Sequence, residues 1–491
     1  MNSVADTALQ LGIIGAYLAV TLGIGLLAYR LTDRTAEDYY LAGRTFGTVV
    51  LLFTTFATLL SAFTFFGGPN VAYGFGPEWI LVMGLMDGVL FAVLWYVIGY
   101  KQWLVGKRHG YVTLGEMLGD RFGSTTLRVL VAGISLLWLV PYVMLQQVGA
   151  GTALEALTGG AVPYWAGAGA ITLFMILYVT LSGMRGVAWT DTLQGVFMLG
   201  MVWAAFAWVL SAVGGAGTAT GLLPAEFTTL GGGLYSPEYV ISTAVSIAFG
   251  VTMFPQVNQR FFVARSKTVL KRSFALWPVL VVLLFVPAFM LGAWAQGLGI
   301  AVPEGGNVLP LLLNEYTPGW FAALVVAGAV AAMMSSSDSM LLSGSSYLTR
   351  DVYRQAVSGV TDRSEDLVAR VGVVVIALVA FGLSLLQPGT LVEIGDTAFG
   401  GFAQLALPVL VALYWSRTTR AGILAGVAVP QAFYLASVFL SQVPSSYLGG
   451  WSASVVGMAL GLVVTVGVSA VTNAGPTEDA SVYQVEGVEA D

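Results

Sequence analysis

Windows of about 20 apolar residues, the length that crosses a hydrocarbon core of about 30 Å, can be placed thirteen times along this chain. They lie at 8–29, 46–71, 77–99, 125–148, 163–183, 188–213, 237–258, 273–297, 318–348, 367–387, 390–415, 420–441 and 451–472. Segments this apolar find no water-facing surface to share. Lipid is the solvent that suits them, and there each backbone must satisfy its own hydrogen bonds, which leaves helices at this window length. The composition agrees, with 57% hydrophobic and 9% charged residues and a mean hydropathy of +0.83, against about 25% charged in a soluble domain. The pattern predicts an all-α polytopic membrane protein of about thirteen transmembrane helices, with the lipid bilayer as its first partner. A net charge of −6 gives no reason to expect nucleic acid.

Basic residues orient the chain, because short cytoplasmic loops collect Lys and Arg. With the N-terminus outside, the inner loops hold Arg30, Arg34 and Arg44, then Lys101, Lys107, Arg108, Arg121 and Arg128, then Arg185. Next come Arg260, Arg265, Lys267, Lys271 and Arg272, then Arg350, Arg354, Arg363 and Arg370, and last Arg417 and Arg420, which accounts for all 20 Lys and Arg. The expectation is a multi-pass protein of the cell membrane, N-terminus outside and C-terminus cytoplasmic. Residues 473–491, with Glu478, Asp479, Glu486, Glu489 and Asp491, are expected to form an acidic disordered tail. The N-terminus carries no basic residue before its first apolar run and so lacks the charged start of a cleavable signal peptide.

The absence of cysteine and the single histidine, His109, exclude disulfides, haem, zinc and iron–sulfur chemistry. No cofactor is expected. A membrane enzyme would need a dyad or a metal motif of His and acid inside the spans, and His109 lies in a loop, so the chain is not expected to be an enzyme.

Two windows suit a straight helix poorly. The second combines a hydroxyl-rich middle, Thr54-Thr55-Phe56-Ala57-Thr58-Leu59-Leu60-Ser61, with Gly67-Gly68-Pro69, and the seventh carries Gly250 and Pro255 with Gln256, Asn258 and Gln259. They are five spans apart and cross in opposite senses. Paired interruptions of this kind point to an inverted-repeat transporter with its site at the midplane. In the ninth window pure hydrocarbon gives way at Met334 to Ser335, Ser336, Ser337, Asp338 and Ser339, then Ser343, Ser345 and Ser346. At about 100° per residue, Ser335, Ser339, Ser343 and Ser346 form one stripe.

The run from Gly183 to Gln194, GMRGVAWTDTLQ, resembles the G-x-x-x-x-x-W-T-D-x-x-Q signature of the sodium:solute symporters. Gly43-Arg44, Gly67-Gly68-Pro69, Ala72-Tyr73, Asn258-Gln259-Arg260 and the serine stretch leading to Asp351-Val352-Tyr353 extend the likeness over most of the chain. Within that family the second and seventh spans look most like the pantothenate-permease branch. The resemblance implies a five-plus-five inverted-repeat core with flanking helices. An extra helix and first inner loop would occupy 1–45, the first repeat 46–213, the second 237–415 and two C-terminal helices 416–472. It also implies a sodium site made of the carbonyls of Ala57, Leu60 and Ala332 and the hydroxyls of Ser335 and Ser336. The spacing is compatible with this: carbonyls are freed where a helix breaks, and sodium is a hard cation that takes oxygen.

Some relatives build a second cation site from the W-T-D aspartate and residues after the serine pair, which here are Asp191, Asp338 and Ser339. Those acids are alternatively a protonatable pair, or structural, with Asp191 on Arg185 or a backbone amine and Asp338 on Ser345 or another helix. Proline permeases of the family carry an aspartate where this chain has Leu59, which argues against proline by default. Ser61 and Thr64 share a face with Ala57 just outward of the ion, where relatives bind solute, and Asp87, Gln147 and Gln256 are further candidates. From sequence, no buried arginine is evident to pair with a solute carboxylate. The function expected is sodium-coupled symport of a small organic solute such as a vitamin, carboxylate or amino acid, with solute and sodium as partners. The alternative is proton coupling through Asp87, Asp191 or Asp338. The oligomeric state is unknown from sequence.

Overall fold

A computed structural model of the chain describes residues 4–31, 40–387 and 389–473. The tail from 474 onward and Arg34 lie outside the described residues. Among those described, eleven helices are each long and apolar enough to cross a membrane, and two bent pairs bring the number of spans to thirteen. The only strands described are the short hairpin Ser446–Tyr447 and Trp451–Ser452 before the last span.

The bent pairs are the two that the sequence marks. The second span is Thr48–Leu59 plus Phe63–Phe75, bent by 62°, and the seventh is Pro237–Thr252 plus Pro255–Phe262, bent by 55°. The fold is a five-plus-five inverted-repeat core with flanking helices. Of the eleven unbroken spans, the ninth, Gly319–Ala356, is the most enclosed, with 83% of its apolar window buried, against 22% for the first span and for the sixth, Gly183–Val213. An apolar helix enclosed by protein is packed at the centre, whereas one that exposes Leu193 and Val196 faces lipid.

The position of the second span's bend differs from what its Gly67-Gly68-Pro69 suggests. The helix ends at Leu59, and Leu60 is extended at φ −76° and ψ 121°, while the Gly-Gly-Pro stretch is helical. Gly68 and Pro69 serve close packing on the eighth span, Lys267–Gly297. A side chain at Gly68 would overlap the ring of Phe289, and the backbone of Pro69 fills the space a side chain at Gly292 would need. The third span, Ile80–His109, outruns its window and stops where Gly110 turns left-handed at φ 79°. Hydropathy measures the bilayer; capping ends the helix.

The N-terminal end of the second span and the C-terminal end of the seventh are stitched together. Phe46 donates from its backbone N–H to the Val263 carbonyl at 3.3 Å, and the Arg265 N–H donates back to Phe46 at 3.1 Å. Arg44 donates to the carbonyls of Phe262 at 3.2 Å and Tyr111 at 3.0 Å, and the Trp103 indole donates to Ala264 at 2.9 Å.

Candidate cation and solute site

At the break of the second span the chain's own carbonyls lose their helical donors. Two of them meet the ninth span: the Ser336 hydroxyl lies 2.6 Å from the carbonyl oxygen of Leu60 and 2.9 Å from that of Thr58. A hydroxyl has one proton to donate, so these three oxygens outnumber the hydrogens between them. The N–H freed beyond the break, at Ala62, donates to Gln146 Oε1 at 2.9 Å. Gly149 allows this approach, because a side chain there would run into Ala62.

Ser335 turns away from the break. Its hydroxyl donates to Asp191 Oδ1 at 2.5 Å. Asp191 is wholly buried, two turns into the sixth span, and its other oxygen accepts from Thr54 at 2.6 Å and from Arg260 Nη2 at 3.1 Å. Ser339 joins the same cluster, 2.9 Å from the Thr58 hydroxyl and 2.5 Å from Arg260 Nη2. Arg260 therefore does not stand in an inner loop with Arg265 and Lys267. It is buried, on the C-terminal half of the seventh span; this is the buried arginine that the sequence did not reveal, and Asp191 pairs with it rather than with Arg185.

The serine stretch thus divides. Ser336, Ser335 and Ser339 reach other spans, while Ser343, Ser345 and Ser346 donate to carbonyls three residues back on their own helix, at Met340, Leu342 and Ser343. Asp338 is buried among them with its Oδ1 unpaired, and Ser345 is not its partner. The W-T-D-x-x-Q run has parallel roles. Asp191 enters the cluster, Thr190 bonds the Tyr178 hydroxyl at 2.6 Å, and Gln194 holds the first span through Tyr17 at 2.6 Å.

Just past the break, Ser61 is 3.1 Å from the Tyr142 hydroxyl. Tyr142 packs on Phe254 and Phe399 with ring centroids at 4.9 and 5.3 Å, and Phe63 meets Phe399 at 5.1 Å. These rings come from the second, fourth, seventh and eleventh spans and close around the point where both helices break. Thr64 and Gln256 are buried, and the Gln256 Oε1 has no partner. Gln147 is directed elsewhere, donating to the Ala377 carbonyl of the tenth span at 3.0 Å. Its neighbour Gln146 is the residue that sequence reasoning passed over. Asp87 is buried in the third span with both oxygens unpaired. Toward the end of the bundle remote from Arg44, a cavity of about 960 Å³ is lined by Asn70, Val148, Thr152, Asn307 and Glu393.

Residues 39–429 match the model of the sodium:solute symporter family. The chain belongs to that family. It is 30% identical over 449 residues to a sodium/pantothenate symporter of Escherichia coli strain K12, covering 88% of this chain and 91% of the relative. A high-affinity proline transporter of Bacillus subtilis strain 168 is 26% identical, covering 90% and 95%. Among solved structures, a Na+-coupled sialic acid symporter in a substrate-bound, outward-open state, reported with a novel Na+ site, superposes with a TM-score of 0.77. It shares 21% identity and covers 95% of this chain and 98% of its own. A nucleobase-cation-symport-1 family transporter in a closed conformation follows at a TM-score of 0.62 and 15% identity, covering 90% and 96%. The protein is a multi-pass membrane transporter and not an enzyme, and sodium-coupled symport is the activity of this family.

Proposed function

We propose that this protein couples the inward movement of sodium to uptake of a small organic solute by alternating access, with repeats 46–213 and 237–415 moving against each other. The observation that carries the reading is the crowding of the Ser336 hydroxyl against the Thr58 and Leu60 carbonyls at 2.9 and 2.6 Å. Oxygens in excess of protons, buried where a helix breaks, suit a hard monovalent cation. The proposed ligands are the carbonyls of Ala57, Leu60 and Ala332 with the hydroxyl of Ser336; Ser335, expected from sequence to join them, donates instead to Asp191. At about 2.3 kcal/mol per charge per 100 mV, one sodium entering a negative cytoplasm is a useful driver. The N-terminus is placed outside and the C-terminus inside by the distribution of basic residues.

The solute site proposed is the space bounded by Ser61, Thr64 and Gln256 with the Tyr142, Phe254 and Phe399 rings. Aromatic walls with a few hydroxyl and amide groups suit a solute with an apolar body and one or two hydrogen-bonding groups. The similarity to symporters named for pantothenate and proline supports a vitamin, small carboxylate or amino acid. Because Arg260 is committed to Asp191, a solute carboxylate would find amide donors rather than a guanidinium. Proton coupling stands as a second reading on one observation, the two unpaired oxygens of buried Asp87.

The test is uptake of labelled pantothenate, proline, sialic acid and monocarboxylates into proteoliposomes under imposed sodium or proton gradients. Accumulation that requires an inward sodium gradient is expected. Accumulation driven by a proton gradient without sodium would overturn the main reading in favour of the second.

A further inference from the structure

The Asp191 cluster holds a cation of its own. Arg260 Nη2 stands 3.1 Å from Asp191 Oδ2, 2.7 Å from the Thr58 hydroxyl and 2.5 Å from the Ser339 hydroxyl. One carboxylate and two hydroxyl oxygens, on the sixth, second and ninth spans, thus surround a single nitrogen that has only two hydrogens. A buried arginine kept for structural pairing normally grips its carboxylate with both prongs and satisfies its remaining donors. This one does neither: Nε has no partner and Nη1 meets only the Met184 sulfur at 3.2 Å. The donor set around Nη2 is instead the oxygen set that a small hard cation would take. Asp338 adds a second buried acid alongside, with one oxygen unpaired.

The tether comes from a different element than the oxygens. Arg260 rides on Pro255–Phe262, the C-terminal half of the broken seventh span, which is also fastened to the ninth span by Gln259 Nε2 on the Ser346 hydroxyl at 3.0 Å. A shift of this short segment withdraws the guanidinium from three spans at once, leaving a buried carboxylate with no counter-charge. A buried charge left without its partner is strongly unfavourable, so a replacement cation is favoured there.

We propose that the Arg260 guanidinium is a tethered cation that holds a second cation site formed by Asp191, Thr58, Ser339 and Ser335, so that removing it opens the site to sodium. The residue thereby sets how many sodium ions the protein binds. This rests on sodium being the coupling ion.

The test is equilibrium binding of radioactive sodium to the purified full-length protein, with no solute present. The wild-type protein is expected to bind one sodium per chain and Arg260→Ala two. Arg260→Lys, which keeps a charge on a flexible stem, is expected to remain at one, and Asp191→Asn in the Arg260→Ala background to return to one. One sodium with an unchanged isotherm in Arg260→Ala would overturn the proposal. So would two or more in the wild-type protein, a result that needs no folded variant. Absence of sodium binding by the wild-type protein would instead defeat the sodium-coupled reading itself, so the two failures are distinct.

Discussion

The two broken spans solve the same problem in different ways. At the seventh, the carbonyl left by the bend is served from within the span: Asn258 Nδ2 donates to Thr252 at 3.3 Å and also to Phe254 at 2.8 Å, whose carbonyl accepts the backbone N–H groups of Val257 and Asn258 as well. At the second, no side chain of the span itself is recorded on the Thr58 and Leu60 carbonyls. They face a hydroxyl from the ninth span, and the freed Ala62 N–H is met by Gln146 of the fourth. Unwound backbone inside a membrane must be satisfied by something. A break capped by its own asparagine has little need of an ion, whereas a break that lends its carbonyls to other helices can accept one. The inverted repeat thus provides two similar bends, of which one is closed chemically and the other is suited to a ligand.

That contrast can be broken by mutation. Ser336→Ala is expected to give the largest effect, raising the sodium concentration for half-maximal transport by about tenfold or more, roughly 1.4 kcal/mol for one lost ligand. Sodium titration of uptake checks it, and an unchanged half-maximal concentration would remove Ser336 from the ion site. Asn258→Ala is expected to act differently, because it strands the buried Thr252 carbonyl without touching the second span's break. The expected outcome is a loss of about 1–3 kcal/mol of stability, read as a lower thermal midpoint in detergent, with sodium dependence of the folded fraction unaltered. A shift in sodium dependence as large as that of Ser336→Ala would erase the distinction between the two bends.

Much of this arrangement was legible in the sequence, and the gaps have physical causes. Thirteen spans and the identity of the two interrupted helices follow from apolar window length and from breaking residues placed in hydrocarbon. The exact bend was hidden, because Leu59, Leu60 and Ser61 carry no helix-breaking residue. Partners distant in sequence, Ser336 and Gln146, hold the extended backbone there, while Gly68 and Pro69, which with Gly67 read as a break, are there for close approach to Phe289 and Gly292. Arg260 was hidden by its neighbours: Arg265, Lys267, Lys271 and Arg272 follow within a dozen residues and make it look like part of a cytoplasmic patch. Pro255 was the available signal, since a proline at the first turn of a helix starts it as readily as it ends the one before, which would carry Arg260 back into the protein.

The smallest expected effect separates two adjacent glutamines that only side-chain direction distinguishes. Gln146 and Gln147 are both buried and about 100° apart around the fourth span. Gln146 takes the Ala62 N–H with its oxygen and returns its amide to its own Tyr142 carbonyl at 3.1 Å, which ties the break to the ring that faces Ser61. Gln147 reaches the opposite way, to Ala377. Gln146→Ala is therefore expected to raise the solute concentration for half-maximal uptake by about fivefold, near 1 kcal/mol for one hydrogen bond, whereas Gln147→Ala leaves it within about twofold and lowers only thermal stability. Uptake kinetics on the pair decide the matter. If Gln147→Ala weakened solute uptake more than Gln146→Ala, the solute wall would extend toward the tenth span. The break would then be braced by the fourth span without the solute sensing that brace, because the only side chain linking Ala62 to Tyr142 would have proved silent.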